Sequence, residues 1–176
     1  MTLVDTIVIA TIGTKEVAAI GAIAVILNIM EMGSKTVNVT NNALIAKALG
    51  EDNEEEIRSI SGNSVIITFI ISLFTIIMVF AIKPIFPILF NVDSMCNIYL
   101  VIRLIGFIPN AIVTVLSGQQ RTIGKQGNIL ILRTVAVIIN LIFDIIVVNL
   151  GYGIEGVAWV TVIIDLCLCI YLIRSE

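Results

Sequence analysis

Long apolar runs alternate with short polar ones along this chain, and the lengths of the runs set the reading. A helix that crosses the hydrocarbon core of a bilayer needs about 20 mostly apolar residues. Five runs are of that order: Val17 to about Leu44, Ile60–Ile82, Tyr99 to about Leu116, Ile129–Val148 and Val157–Ile173. A further run, Leu3–Ile12, is too short and reads as the second half of a helix. The breaks between runs are Gly13-Thr14-Lys15-Glu16, the hydrophilic linker Gly50–Arg58, Lys83-Pro84 with the Pro87 turn, Asn91–Asn97, Gly118–Gly127 and Gly151-Tyr152-Gly153. Asp93-Ser94 suits a helix start, and Gly118–Gly127 reads as a loop. The pattern predicts an all-α membrane protein with five transmembrane helices behind a truncated first one.

Polar residues inside these runs are few and regularly placed. In the Val17–Leu44 run, Asn28, Glu31, Lys35, Asn38 and Asn42 recur at spacings of 3, 4, 3 and 4, one continuous stripe on a helix. Glu31 and Lys35 stand in the acid-before-base order that lets them neutralise each other. Such a stripe either glues the helix to its neighbours or lines a water-filled cavity. Five positions in register favour the cavity. In the Ile129–Val148 run, Arg133, Asn140 and Asp144 share a face, the last two stacked one turn apart. Asp5 is a second carboxylate at membrane depth, and Thr161 lies a little over one turn into the last run. Asp165, one turn further, is placed either near the cavity or against another span.

A carboxylate inside a bilayer is expensive and marks a functional site by default. Asp5, Asn140, Asp144 and Thr161 all offer oxygen, the donor a hard cation such as Na⁺ wants. Two neighbouring carboxylates also repel, which favours uptake of a proton on one of them. The site therefore suits Na⁺ or H⁺. The plainer alternative is that Asp5 and Asp144 form buried ion pairs with Arg133 or Arg103.

Composition agrees with the pattern. The chain of 176 residues is 59% apolar and 13% charged, with a mean hydropathy of +1.11; soluble domains are about a quarter charged. The net charge of −3 owes most to one acidic run, Glu51–Glu56, and no basic arm points to nucleic acid. Histidine is absent, which all but excludes zinc sites and histidine catalysis, and Cys96, Cys167 and Cys169 make neither a disulfide framework nor a metal cluster. No nucleophile–base pair suggests an enzyme. Lys47, Arg58, Arg121, Lys125 and Arg174 fall on one side of the predicted membrane and Lys15 and Lys83 on the other, which makes the first side cytoplasmic. Met1 then falls within the membrane, and the chain is expected to be a fragment.

Read in order, the residues resemble the multidrug and toxic compound extrusion (MATE) transporters. Val4-Asp5-Thr6, Gly13-Thr14 and Val17-Ala18-Ala19-Ile20-Gly21 resemble that family's first helix and the start of its second. Ala48-Leu49-Gly50-Glu51-Asp52-Asn53 resembles the end of the second helix and the loop after it. Asn140–Asp144, then Gly153-Ile154-Glu155-Gly156-Val157-Ala158 and Thr161, resemble the fifth helix and the glycine-rich entry to the sixth. The resemblance implies a 12-helix antiporter of two six-helix bundles, with residues 1–176 as the first bundle. It further implies a cation site formed by Asp5, Asn140, Asp144 and Thr161. The segment Gly118–Gly127 departs from the family's arginine–glycine–aspartate pattern, and Glu31 and Lys35 bring more charge than that helix usually carries.

The expectation is a multi-pass protein of the cell membrane that exports organic cations, drugs or metabolites by alternating access. It would be driven by Na⁺ or H⁺, use no cofactor, and require membrane lipid and a second six-helix bundle. The alternatives are a lipid-linked saccharide flippase of the same superfamily, for which Lys35, Arg103 and Arg133 supply positive charge, and a membrane scaffold that transports nothing.

Overall fold

The computed structural model describes residues 14–82 and 94–175. Asp5, with the rest of the Leu3–Ile12 run and Met1, lies outside the described residues. The described chain is five helices and no strand: α1 Thr14–Gly50, α2 Glu54–Ile82, α3 Ser94–Thr122, α4 Gln126–Asn149 and α5 Gly153–Ser175. The last four are long and apolar enough to cross a membrane. At the helical rise, the 37 residues of α1 reach about 55 Å, well beyond a bilayer core.

Local chemistry sets the ends. Asn53 caps α2: its Oδ1 accepts from the Glu56 amide at 3.1 Å, while its Nδ2 donates back to the Glu56 carboxylate at 3.1 Å. This is a side-chain variant of the capping box, the Asn53 amide group standing in for its backbone N–H, and Glu54, Glu55 and Glu56 place negative charge at the positive end of the helix dipole. The α4–α5 turn passes through Gly151 at φ +84°, a left-handed conformation that a side chain would strain.

The stretch 118–127 is not a loop. Helix α3 runs on through Gly118, Gln119, Gln120 and Arg121 to Thr122, and only Ile123–Lys125 turn before α4 begins. Gly118 sits inside the helix because α1 crosses there: a β-carbon at residue 118 would overlap the Asn38 side chain and lie 2.9 Å from Asn42 Oδ1. Its lack of a side chain serves helix packing, not chain reversal.

Helix α3 is the hub, packed against each of the other four, with α1 on α2 to one side and α4 on α5 to the other. Two apolar layers hold the bundle. One joins Leu27 and Met30 of α1 to Leu104 and Phe107 of α3 and Val157 and Val162 of α5. The other joins Val113 and Leu116 of α3 to Ile129 of α4 and Leu168 and Leu172 of α5. Helices α2 and α4 turn large apolar side chains outward, among them Phe69, Phe74, Ile131 and Phe143. Lipid is the solvent for those faces, so their exposure is no defect.

The inner face of α2 is made of small hydroxyl residues, not bulky apolar ones. Ser64, Thr68 and Ser72 are buried. The hydroxyls of Ser64 and Thr68 donate to carbonyls of their own helix at 2.7 and 2.6 Å. Small side chains let helix backbones approach where the hydrophobic effect gives no drive between helices.

Candidate functional site

Between the two apolar layers, α3, α4 and α5 enclose a polar layer. Asn140 and Asp144 lie one turn apart on the inward face of α4, and Thr161 faces them from α5; all three are 0% exposed. Asn140 Nδ2 donates to Thr161 Oγ1 across a long 3.4 Å, and the Thr161 hydroxyl donates to the Val157 carbonyl at 3.2 Å. That second bond commits the threonine proton, so the amide must present its NH₂ to the hydroxyl and turn its carbonyl oxygen away. Asn140 Oδ1 accordingly has no hydrogen-bond partner among the described residues. The layer thus offers a buried amide oxygen, a carboxylate and a hydroxyl oxygen, a donor set suited to a hard cation.

Asp165 sits one turn further along α5 and is 2% exposed. Its Oδ2 accepts from Asn110 Nδ2 of α3 at 3.0 Å, while Oδ1 is left without a partner. Arg103 and Arg133 act on this carboxylate through their charge. Neither reaches salt-bridge contact with it among the described residues.

Arg133 is engaged elsewhere. Its Nη2 donates to the Val113 carbonyl at 3.2 Å and to the Ser117 hydroxyl at 3.0 Å, which ties α4 to α3. It shares a helix face with Asn140, yet the shared face delivers it to the backbone of α3.

The polar stripe of α1 divides in two. Towards the start of the helix, Asn28 and Lys35 are exposed, and Lys35 pairs with Glu31 at 2.9 Å. Asn38 and Asn42 instead pack their side chains against Gly118 of α3, and both Oδ1 atoms are buried without partners.

Three polar residues of the interior stood outside the sequence pattern. Asn41 is 3% exposed, and neither end of its amide is satisfied. It lies one position off the stripe, so periodicity passed over it. Asn110 belongs to a run read only for its apolar content, and Ser117 is the residue just past the end of that run. The signal available for Asn110 was an amide next to Pro109, in the middle of a membrane helix.

The MatE family model matches residues 1–146. No curated protein matches the sequence. Among solved structures, the MATE transporter VcmN of Vibrio cholerae in the bent form superposes with a TM-score of 0.87 at 20% identity, covering 99% of this chain and 41% of that one. An outward-facing multidrug resistance MATE family transporter of the MOP superfamily gives 0.84 at 21% identity, covering 97% and 39%. A MOP superfamily transporter from Pyrococcus furiosus gives 0.83 at 21% identity, with the same coverage; for that protein, a binding pocket of reverse polarity suggests a different function. The chain spans about two fifths of the length of these structures.

Proposed function

The chain belongs to the MatE family, and on that premise we propose that it forms the first bundle of a cation-coupled antiporter, with the coupling ion held by Asn140, Asp144 and Thr161. The family makes it a multi-pass membrane protein of a transport class. The finer reading is export of organic cations, drugs or metabolites across the cell membrane in exchange for Na⁺ or H⁺. In this reading Asp5, which lies outside the described residues, completes the ligand set, and a second bundle supplies the other wall of the substrate cavity.

The observation that carries this reading is the fully buried trio on α4 and α5, with Asn140 Oδ1 left without a donor. A cation supplies what that oxygen lacks. Alternating access then follows if the ion binds one arrangement of the helices more tightly than the other, since only differential affinity shifts such an equilibrium.

The flippase alternative draws less support. A pyrophosphate-bearing lipid needs free cationic side chains, whereas of the three candidates Lys35 is paired to Glu31 and Arg133 is bound to α3, which leaves Arg103.

The test is Asp144→Asn in the intact protein, reconstituted in proteoliposomes with an imposed Na⁺ or proton gradient. Gradient-driven efflux of an organic cation should collapse while the protein remains folded. Unchanged efflux would sink the assignment. Binding of an isoprenoid pyrophosphate in place of an organic cation would move it to the flippase class.

A further inference from the structure

At the end of the bundle where α1 passes into α2 and α3 into α4, a pocket of about 470 Å³ opens between the start of α2 and the end of α3. Glu54, Arg58, Ser61, Gln119, Gln120 and Lys125 bring its polar groups. It lies far from the Asn140 trio, and the transport reading does not use it.

Two of its lining residues are buried glutamines, Gln119 at 2% and Gln120 at 4% exposed, and Gln119 is the one with an unsatisfied atom. Its Nε2 donates to Ser64 Oγ at 2.6 Å. The Ser64 proton is already committed to the Ser61 carbonyl at 2.7 Å. The glutamine therefore cannot flip: its NH₂ must face the serine, and Oε1 remains an acceptor. Oε1 is buried and has no donor. At the rim, Arg58 and Lys125 are exposed cations in no ion pair with a described residue, and Glu54 is an exposed carboxylate.

These groups ask for opposite things. Arg58 and Lys125 favour an anion, and Gln119 Oε1 and Glu54 favour a cationic hydrogen-bond donor. A phosphate joined to an ammonium by a short linker satisfies both. The placement selects the source. Ile57 and Ile123 line the same pocket, and the outward apolar face of α2 begins at Ile66, just beyond it. The pocket thus opens where polar surface gives way to lipid-facing surface, at the level of the headgroups.

We propose that this pocket binds the phosphoethanolamine headgroup of a membrane phospholipid, its phosphate on Arg58 and Lys125 and its ammonium towards Glu54 and Gln119. A bound lipid then bridges α2 to the α3–α4 turn.

The test uses the intact protein, stripped of lipid in detergent and titrated with phosphatidylethanolamine or phosphatidylglycerol, with bound lipid counted by native mass spectrometry. Phosphatidylethanolamine should be retained about tenfold more strongly than phosphatidylglycerol. Arg58→Ala with Lys125→Ala should lower retention of both lipids, and Glu54→Gln should shrink the preference between them. All three positions are exposed, and an unchanged melting temperature verifies that each variant keeps the fold. Equal retention of the two lipids, or a double variant that holds phosphatidylethanolamine as the native protein does, overturns the proposal. So does displacement of the lipid by an equal concentration of soluble phosphoethanolamine, which would name a free metabolite as the occupant.

Discussion

Gly118 of α3 faces Asn38 of α1 so closely that a β-carbon at residue 118 would overlap the asparagine side chain. The two helices therefore cross at near-backbone distance, and the crossing depends on one hydrogen atom standing where a methyl group would be. Replacing Gly118 by alanine forces α1 and α3 apart or drives Asn38 off its rotamer, at about 1–3 kcal/mol. The expected result is a lower melting temperature of the intact protein in detergent. Asn38→Ala in the same chain should recover part of the loss, because the obstructing atoms belong to that side chain. If Gly118→Ala melts with the native protein, the helices do not cross this way.

The bond between Asn110 and Asp165 gives a second prediction. It links the middle of α3 to the middle of α5, and it is the described hydrogen bond of a carboxylate that is 2% exposed. Asn110→Leu removes the donor and leaves the buried acid unsatisfied, a loss of about 1–3 kcal/mol. Adding Asp165→Asn should restore most of it, since a neutral amide tolerates burial better than an unpaired carboxylate. A double-mutant cycle on thermal stability reads the coupling; additive losses would show that the two side chains act independently.

The third prediction concerns the capping box. Asn53→Ala deprives the Glu56 amide of its acceptor and frees the Glu56 side chain, which should destabilise the start of α2 by about 1 kcal/mol. The effect is local, so amide exchange should rise in the first turn of α2 and remain unchanged in α5. Asn53→Asp keeps the acceptor but sets a second carboxylate against Glu56, so it should recover only part of the native stability.

These residues show which parts of the molecule were legible in the sequence. The alignment of Asn140 with Asp144 on α4 could be read because two polar positions four apart stand out in an apolar run, and helical period then places them on one face. The pairing of Glu31 with Lys35 follows from the same arithmetic. The Asn110–Asp165 bond could not be read this way, because period assigns residues to faces and does not say which face meets which helix. The interior of α2 was hidden for another reason. Ser64, Thr68 and Ser72 are small and weakly polar, so a run dominated by isoleucine and phenylalanine masks them, although a spacing of four already places them on one side. Gly118 was misread because glycine beside two glutamines and an arginine has the composition of a loop. Only the neighbouring helix explains it.

Thr161 supports the last prediction. Its hydroxyl accepts from Asn140 Nδ2 and donates to the Val157 carbonyl, so it fixes the orientation of the amide and with it the direction of Asn140 Oδ1. Thr161→Val keeps the shape and removes both bonds. The amide is then free to turn, and the oxygen set facing the proposed ion loses two of its constraints. The expected outcome in proteoliposomes is a rise of about tenfold in the concentration of coupling ion that half-saturates transport, the equivalent of one lost hydrogen bond to a charged ligand set. Thr161→Ser keeps the hydroxyl and should transport at close to the native half-saturation. A general packing defect would make both variants equally poor, because each alters the methyl or hydroxyl contact with α4. A difference confined to the hydroxyl instead shows that Thr161 acts at the ion site through its oxygen, by binding the ion or by orienting the Asn140 amide.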